Sequence, residues 1–489
     1  MSKEYDYCII GAGPTGLTLA YLFSKIGKKC LLIDKNKDVG GCHRVTRVNG
    51  LFTEHGPRIY SSSYVNTRNL LKKMDINFDS LYTPYKFTIS DIGKYSIKDF
   101  NINEIRTFVY HFLIMIVFPT HGKNTSMKNF METNMFSEKT KDYIDRLCRL
   151  TDGASSENYS INKFLQLFNQ QFIYTIYQPN KPNDEGLFKL WLEKLYENNV
   201  DFMMNTQVLT LDGKNDKNVD YITVVNNNKI YKIKSKRFIM CIPPKPIENI
   251  LSKSVLYKDS FGELSKLQKW VNNSTYMNYI PITFHWNKEI NLQKVWGFPK
   301  TEWGIAFIVL TNYMNFNDER SKLVISTCVT KTDTVSSFIN KTANQSNEDE
   351  LKKEVFRQLK ISFPELPDPN NCILHPGTIK YENKWIEADT AYIETYNTKP
   401  LPAFSSITQN LYQVGTQNGN SIYSFTTMES AITNAIVFSN ILEPETQNII
   451  KRKRNIELIG YIRIISFIII FLIIFLIIYK IYKKFSKKL

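Results

Sequence analysis

The segment Gly11-Ala12-Gly13-Pro14-Thr15-Gly16 sits directly after a short apolar run and opens a helical pattern. Residues 5–10 (YDYCII) read as a buried strand. Residues 14–27 read as a helix with Leu17, Leu19, Ala20, Leu22, Phe23 and Ile26 apolar, and 29–33 (KCLLI) as a second strand ending at Asp34. Such a βαβ unit of about 30 residues begins a parallel sheet. Gly11 permits a tight turn, Gly13 lets the backbone approach a pyrophosphate, Pro14 starts the helix, and Gly16 lets the helix pack on the strand. The helix start offers free N–H groups to phosphate. Asp34, followed by Lys35, lies where a carboxylate accepts hydrogen bonds from ribose hydroxyls. A dinucleotide is the implied ligand, against the alternative of a glycine-rich turn in an unrelated α/β fold.

The other end of the chain is equally distinct. Ile464–Tyr479 carries no charge, and the run extends back to Ile459 with Arg463 as its one charge. A helix of about twenty residues rises roughly 30 Å, enough to cross a hydrocarbon core. Arg463 is placed to reach the headgroups. Of the net charge of +16, residues 451–489 carry +9, so the basic excess flanks the apolar run. A membrane surface is the partner this implies, and no nucleic-acid motif accompanies the charge. Basic residues on both flanks leave the orientation open. The seven cysteines are scattered, with no CxxC pair and no metal-like cluster. This argues for reduced thiols, and no metal site is expected. MSKEYDYCII has no small-residue cleavage site, so no secretory signal is expected. A body on the cytosolic side follows.

The residues between divide by character. Residues 1–60 form a first nucleotide-binding segment, and 61–184 a mostly helical segment. Within the latter, Phe108–Phe118 is strongly apolar but too short to span a bilayer. It reads as a core helix, or else as a membrane-contacting face or the wall of an apolar channel. Residues 185–250 read as helix, strand, antiparallel strands and a strand stopped by Pro243, Pro244 and Pro246. Residues 251–395 look like mixed α/β. Residues 396–445 return with a strand at Leu411–Gly415 and a helix from Thr427 to Leu442. A basic linker (446–458), a membrane helix (459–480) and a basic tail (481–489) complete the chain.

Several segments together resemble the FAD-dependent amine oxidase superfamily, which includes monoamine oxidases, protoporphyrinogen oxidase, phytoene desaturases and, more distantly, UDP-galactopyranose mutase. Val39-Gly40-Gly41 is similar to the family's second glycine pair at the FAD phosphates. Glu54-His55-Gly56-Pro57-Arg58-Ile59-Tyr60 resembles the segment beside the flavin ring. NTQVLTL (205–211) resembles the strand that meets the adenine, with Val208 at the contact. RFIMCIPP (237–244) and 410–435 resemble two further FAD segments. The resemblance implies Gly415 near the pyrophosphate and ribityl, and Thr427 and Met428 at a helix start aimed at the flavin. The chain departs from the family in having Cys42 after the glycine pair, Asn36 at an often basic position, and Thr416 where an acid is common. Arg44 or Lys37 then supplies the phosphate charge. The last cysteine, Cys372, precedes the C-terminal segment, so the resemblance implies non-covalent FAD.

These readings imply an α/β chain: a doubly wound, FAD-binding Rossmann-like domain, an inserted α+β substrate domain and a C-terminal transmembrane helix. The function implied is a membrane-anchored oxidoreductase moving hydride from an amine or apolar small molecule to flavin N5. Lys300 is the candidate catalytic lysine, against a surface-turn lysine. Tyr392, Tyr396 and Tyr423 are candidate cage aromatics, against ordinary packing. His43 and His55 read as structural. A flavin-dependent isomerase resembling UDP-galactopyranose mutase, or a non-catalytic membrane-tethered flavoprotein, are the alternatives. Substrate, electron acceptor and oligomeric state are not readable.

Overall fold

The computed structural model describes every residue except 1–3, 57, 86–87, 91–99, 172–174, 277–278, 298–300, 389–391, 394–397, 422–426, 455–457 and 486–489. The elements that position the site run in chain order. They are β1 (Tyr5–Ile10), α1 (Pro14–Lys25), β2 (Cys30–Ile33), α2 (Ile102–Val117), β3 (Asp201–Met203), β4 (Ser235–Met240), α3 (Pro244–Lys253), β5 (Leu411–Gln413), α4 (Met428–Leu442) and α5 (Leu458–Phe485).

The five strands form one sheet in the order β5-β4-β1-β2-β3. Every neighbouring pair in it is parallel. Residues in β1 and β2 are apolar on both faces because both faces are covered. Tyr7, Ile9, Cys30 and Leu32 pack on one side with α1, α4 and the helix Leu187–Glu197. Cys8, Ile10, Leu31 and Ile33 pack on the other. That second face is covered by an antiparallel meander (Thr206–Asp212, Tyr221–Asn226, Lys229–Ile233), joined in the same core by α3 and the helix Leu264–Asn273. The chain leaves β1 toward β2 on one side and returns through β4 on the other. This makes the carboxyl end of β1 a switch point, where open α/β sheets bind ligands.

A second, six-stranded sheet pairs Asn371–Leu374, Ile280–Trp286, Leu323–Val329, Ile305–Val309, Val295–Gly297 and Thr88–Ser90 in that order. Its core includes Trp286, Trp303, Leu351 and Val355. The polar helix read near 347–360 is Glu348–Leu359, started by an Asn347/Glu350 capping box.

Three local readings differ from the structure. The prolines after β4 do not only stop a strand. Pro244 sits in the first turn of α3, where a missing N–H costs nothing, and the helix proceeds. The apolar 108–118 stretch lies in α2 but is not wholly a core element. Phe108, Phe112, Met115 and Ile116 pack inward, while Val109, Tyr110, Leu113 and Val117 face out. Arg463 reaches back to the body rather than outward, donating to the Ile116 carbonyl at 2.8 Å. Among the described residues, one helix is long and apolar enough to cross a membrane, Gly460–Lys480 within α5.

Candidate functional site

The end of β1 is a crossing of backbones. Gly11 donates its N–H to the Ile33 carbonyl at 2.7 Å, and Cys241 donates to the Ile10 carbonyl at 2.7 Å. Gly11 holds φ near +110°, and a Cβ there would meet the Cys241 carbonyl. A Cβ on Gly16 would run into the Gly11 carbonyl oxygen, so helix and loop touch through bare backbone. Gly13 is different. A Cβ there would make one ordinary van der Waals contact, with the Gly41 Cα at 3.7 Å. Gly41 in turn has φ of +55°, and Gly40 donates to the Ala12 carbonyl at 2.8 Å, which holds the two glycine loops face to face. The start of α1 opens on this cleft with no acidic residue in its first turn. That leaves the positive end of the helix free to meet an anion.

A cavity of about 410 Å³ runs from this cleft along the strand ends. Gly11, Gly13, Asp34, Lys35, Gly41, Arg44 and Val208 line it, so these sequence-derived candidates share one wall system. Both Asp34 oxygens accept backbone N–H bonds, from Ala12 at 2.7 Å and Asn36 at 2.8 Å. The Asp34 backbone also fixes the strand Thr206–Asp212, since the Thr206 N–H donates to the Asp34 carbonyl at 2.7 Å. Lys35 Nζ donates to the Ala388 carbonyl at 3.2 Å across the cavity mouth.

Other candidates lie outside that lining. Pro14 is the first residue of α1, and Gly40 abuts the Phe188 ring. Arg58 donates to the Cys42 carbonyl. Gly56 sits against Cys328, and Gly415 against the Gln417 amide. Thr427 caps α4, its hydroxyl accepting from the Ser430 N–H at 3.0 Å, and Met428 begins that helix. Thr15 reaches α4 through the Ala431 carbonyl at 3.3 Å, so the starts of α1 and α4 meet. Tyr392 is buried against Trp270 and Tyr276. Lys300, Pro57, Tyr396 and Tyr423 lie outside the described residues.

The cavity also gathers residues that the sequence did not single out. Lys245, Asn249 and Lys253 line it from α3. Their spacing of four puts them on one helix face, a signal that the proline reading concealed. Glu387 lines it from the strand Lys384–Glu387. Its carboxylate is fully buried, with Oε2 3.5 Å from His375 Nδ1 and 3.9 Å from His55 Nε2. Thr378 donates to its other oxygen. Burial holds His55 below its ordinary value, so that ring is neutral at pH 7. Burial also pushes the Cys241 thiol up, which keeps it protonated beside the cavity.

Glu54 is a second buried carboxyl, one residue before His55. Loss of solvent raises it from an ordinary 4.5 to about 7, against the pull of Arg58. A raised folded-state value favours the protonated form. Its contribution to stability is therefore full below about pH 4.5 and is lost as pH rises toward 7. Glu54→Gln should recover about 3 kcal/mol at pH 8 and little near pH 4.5. Denaturant midpoints of the two proteins at both pH values check this, and a gap that does not change with pH would contradict it.

Residues 9–74 match the family model described as an NAD(P)-binding Rossmann-like domain. No curated protein matches the chain by sequence. Solved structures match over nearly its full length. Wild-type putrescine oxidase bound to putrescine is 13% identical with a TM-score of 0.63, covering 92% of this chain and 100% of that one. Cyclohexylamine oxidase from Brevibacterium oxydans IH-35A is 11% identical with a TM-score of 0.59, covering 90% and 100%. An oxidoreductase from Methanosarcina mazei is 14% identical with a TM-score of 0.59, covering 90% and 100%. At these identities the likeness is one of fold.

Proposed function

We propose that this chain is an FAD-dependent oxidoreductase of the amine oxidase type, held to a membrane by α5 with its body on the cytosolic side. The observation that carries the reading is the cleft in which Gly13 faces Gly41 through bare backbone, beside Asp34. A fold shared with putrescine and cyclohexylamine oxidases supports it. Bound FAD would supply the hydride acceptor, N5 of its ring. The chain's own residues do the rest. Gly11, Gly13 and the start of α1 receive the pyrophosphate, and Asp34 the ribose. Lys35 and Arg44 add positive charge at the same wall, where Asn36 and Cys42 bring none. Val208 meets the adenine. The start of α4 at Thr427 and Met428 offers N–H groups to negative charge on the ring. Gly56 and Arg58, which follow the hairpin strand Leu51–Glu54, would approach the ring. Glu387 Oε2, buried at the cavity wall, is placed to hold a proton released by an oxidised amine. Lys300 remains the proposed lysine near N5.

The seven cysteines are free thiols, and the proposed attachment of FAD is non-covalent. Acid precipitation of the purified full chain should therefore release all flavin to the supernatant. The substrate class proposed is an amine or an apolar small molecule. Anaerobic mixing with primary amines, polyamines and apolar amines should bleach the flavin band, and the acceptor should be consumed mole for mole on reoxidation. Turnover without acceptor consumption would assign the chain to flavin-dependent isomerisation. A yellow protein bleached by none of these would favour a non-catalytic tether.

A further inference from the structure

Among the described residues the outward stripe of α2 has no partner, and its position beside α5 identifies one. An Asn101/Glu104 capping box starts the helix, the two bonds each 2.9 Å. The Glu104 carboxylate also accepts from Ser137 N–H and Thr140 hydroxyl at 2.7 and 2.9 Å, which anchors this end in the body. Along the opposite face, Val109, Leu113, Val117 and Phe118 are 53%, 55%, 67% and 63% exposed. Their spacing of four places Val109, Leu113 and Val117 on one line. Soluble proteins seldom leave such a contiguous apolar stripe to water.

The carboxyl end of this helix meets the membrane span. α5 packs against α2, and the Arg463 guanidinium donates to the Ile116 carbonyl at 2.8 Å. Arg463 is the last charge before the uncharged run 464–479, so the hydrocarbon-spanning part of the anchor begins just beyond it. Ile116 to Phe118 are thereby fixed at that same level. Arg106 and Lys123, both exposed, stand at either end of the stripe, where cations favour an anionic lipid surface. Tyr110 adds an aromatic of the kind found at membrane interfaces.

We propose that α2 is a second membrane element, lying in the bilayer interface with Val109, Leu113, Val117 and Phe118 among the acyl chains at the foot of α5. The proposal rests on α5 being the anchor. It would give the body two points of attachment, which restricts its rotation about the span and holds one face to the lipid.

The test uses the full chain in phosphatidylcholine vesicles with a minor fraction of phosphatidylserine and a diazirine-bearing acyl chain. Light-induced adducts are mapped by mass spectrometry. Adducts are expected on 464–479 and on 109–118, and not on Val255 or Phe338, which are more exposed than any stripe residue. The paired substitution Val109→Asp and Leu113→Asp, at positions already in solvent, should abolish the 109–118 adducts and leave those on 464–479. Adducts on 464–479 alone would overturn the proposal while sparing the anchor, and would mean that protein, such as a second copy, covers the stripe. Equal adducts on Val255 and Phe338 would overturn it as non-specific. No adducts on 464–479 would overturn the anchor and this proposal together.

Discussion

Replacing Gly13 by valine is expected to give a folded, colourless protein. The position decides this outcome. A Cβ at Gly13 meets nothing closer than the Gly41 Cα at 3.7 Å, so the protein itself tolerates the added atoms. A pyrophosphate between the two glycines does not, because its oxygens need that space to reach the N–H groups of α1. Loss of the phosphate contacts should weaken flavin binding by at least about a hundredfold, or roughly 3 kcal/mol. The comparison variant is Gly16→Val. Its side chain runs into the Gly11 carbonyl, so helix and strand separate and folding itself should fail. Far-ultraviolet circular dichroism, thermal midpoint and the visible spectrum separate the two cases. A Gly13→Val protein that stays yellow would remove the pyrophosphate from this cleft.

The features legible in the sequence were those set by neighbours. Strand 5–10, the helix from Pro14 and strand 30–33 follow from short apolar runs and from glycine chemistry within about thirty residues. Observed bounds differ from the expected ones by a residue or two, as helix ends fray. α3 was missed because Pro244 and Pro246 read as terminators, although the first turn of a helix accepts proline. The face of α2 was not legible for another reason. Phe108–Phe118 is apolar on every side, so its sequence carries no amphipathic direction, and only packing decides which residues turn outward.

Long-range placement was the least legible. Glu387 reaches the cavity from a strand more than three hundred residues after Asp34, and no local pattern marks it. The row Lys245, Asn249 and Lys253 on α3 is a partial exception, since spacing of four is readable once a helix is granted. The glycine loops, by contrast, were found because backbone approach to phosphate demands one residue type at fixed intervals. Chemistry that restricts residue identity is visible in one sequence, and chemistry that restricts only position is not.

Glu429 illustrates the second kind, and its removal should produce the largest loss of stability. It is the second residue of α4, buried, and ringed by donors from the far end of the chain. Its Oε1 accepts from Asn66 N–H at 2.9 Å and Asn66 Nδ2 at 2.8 Å. Its Oε2 accepts from Thr67 N–H and Thr67 hydroxyl, both at 2.8 Å. Burial alone pushes the carboxyl up, and these four donors oppose that shift. Asn66 continues the tie to the linker, donating to the Lys453 carbonyl at 3.0 Å and accepting its N–H at 2.7 Å. One carboxylate thus joins the helix Val65–Lys73, the last body helix and the approach to the anchor. Glu429→Ala takes the acceptor from the Asn66 and Thr67 N–H groups and the Thr67 hydroxyl, in a space that admits little water, while Asn66 Nδ2 keeps the Lys453 carbonyl. The cost should be about 3–5 kcal/mol, a large share of a typical folding free energy. Glu429→Gln keeps the shape and one acceptor, but sets an amide N–H₂ against donors, for about 1–3 kcal/mol. Denaturant midpoints of the detergent-held full chain check the order, with wild type highest and alanine lowest. Hydrogen exchange should locate the loss at 65–73 and at the start of α4. A glutamine variant as unstable as alanine would mean that charge, rather than the acceptor count, holds this junction. Unchanged stability in both would mean that the chain's two ends are joined elsewhere.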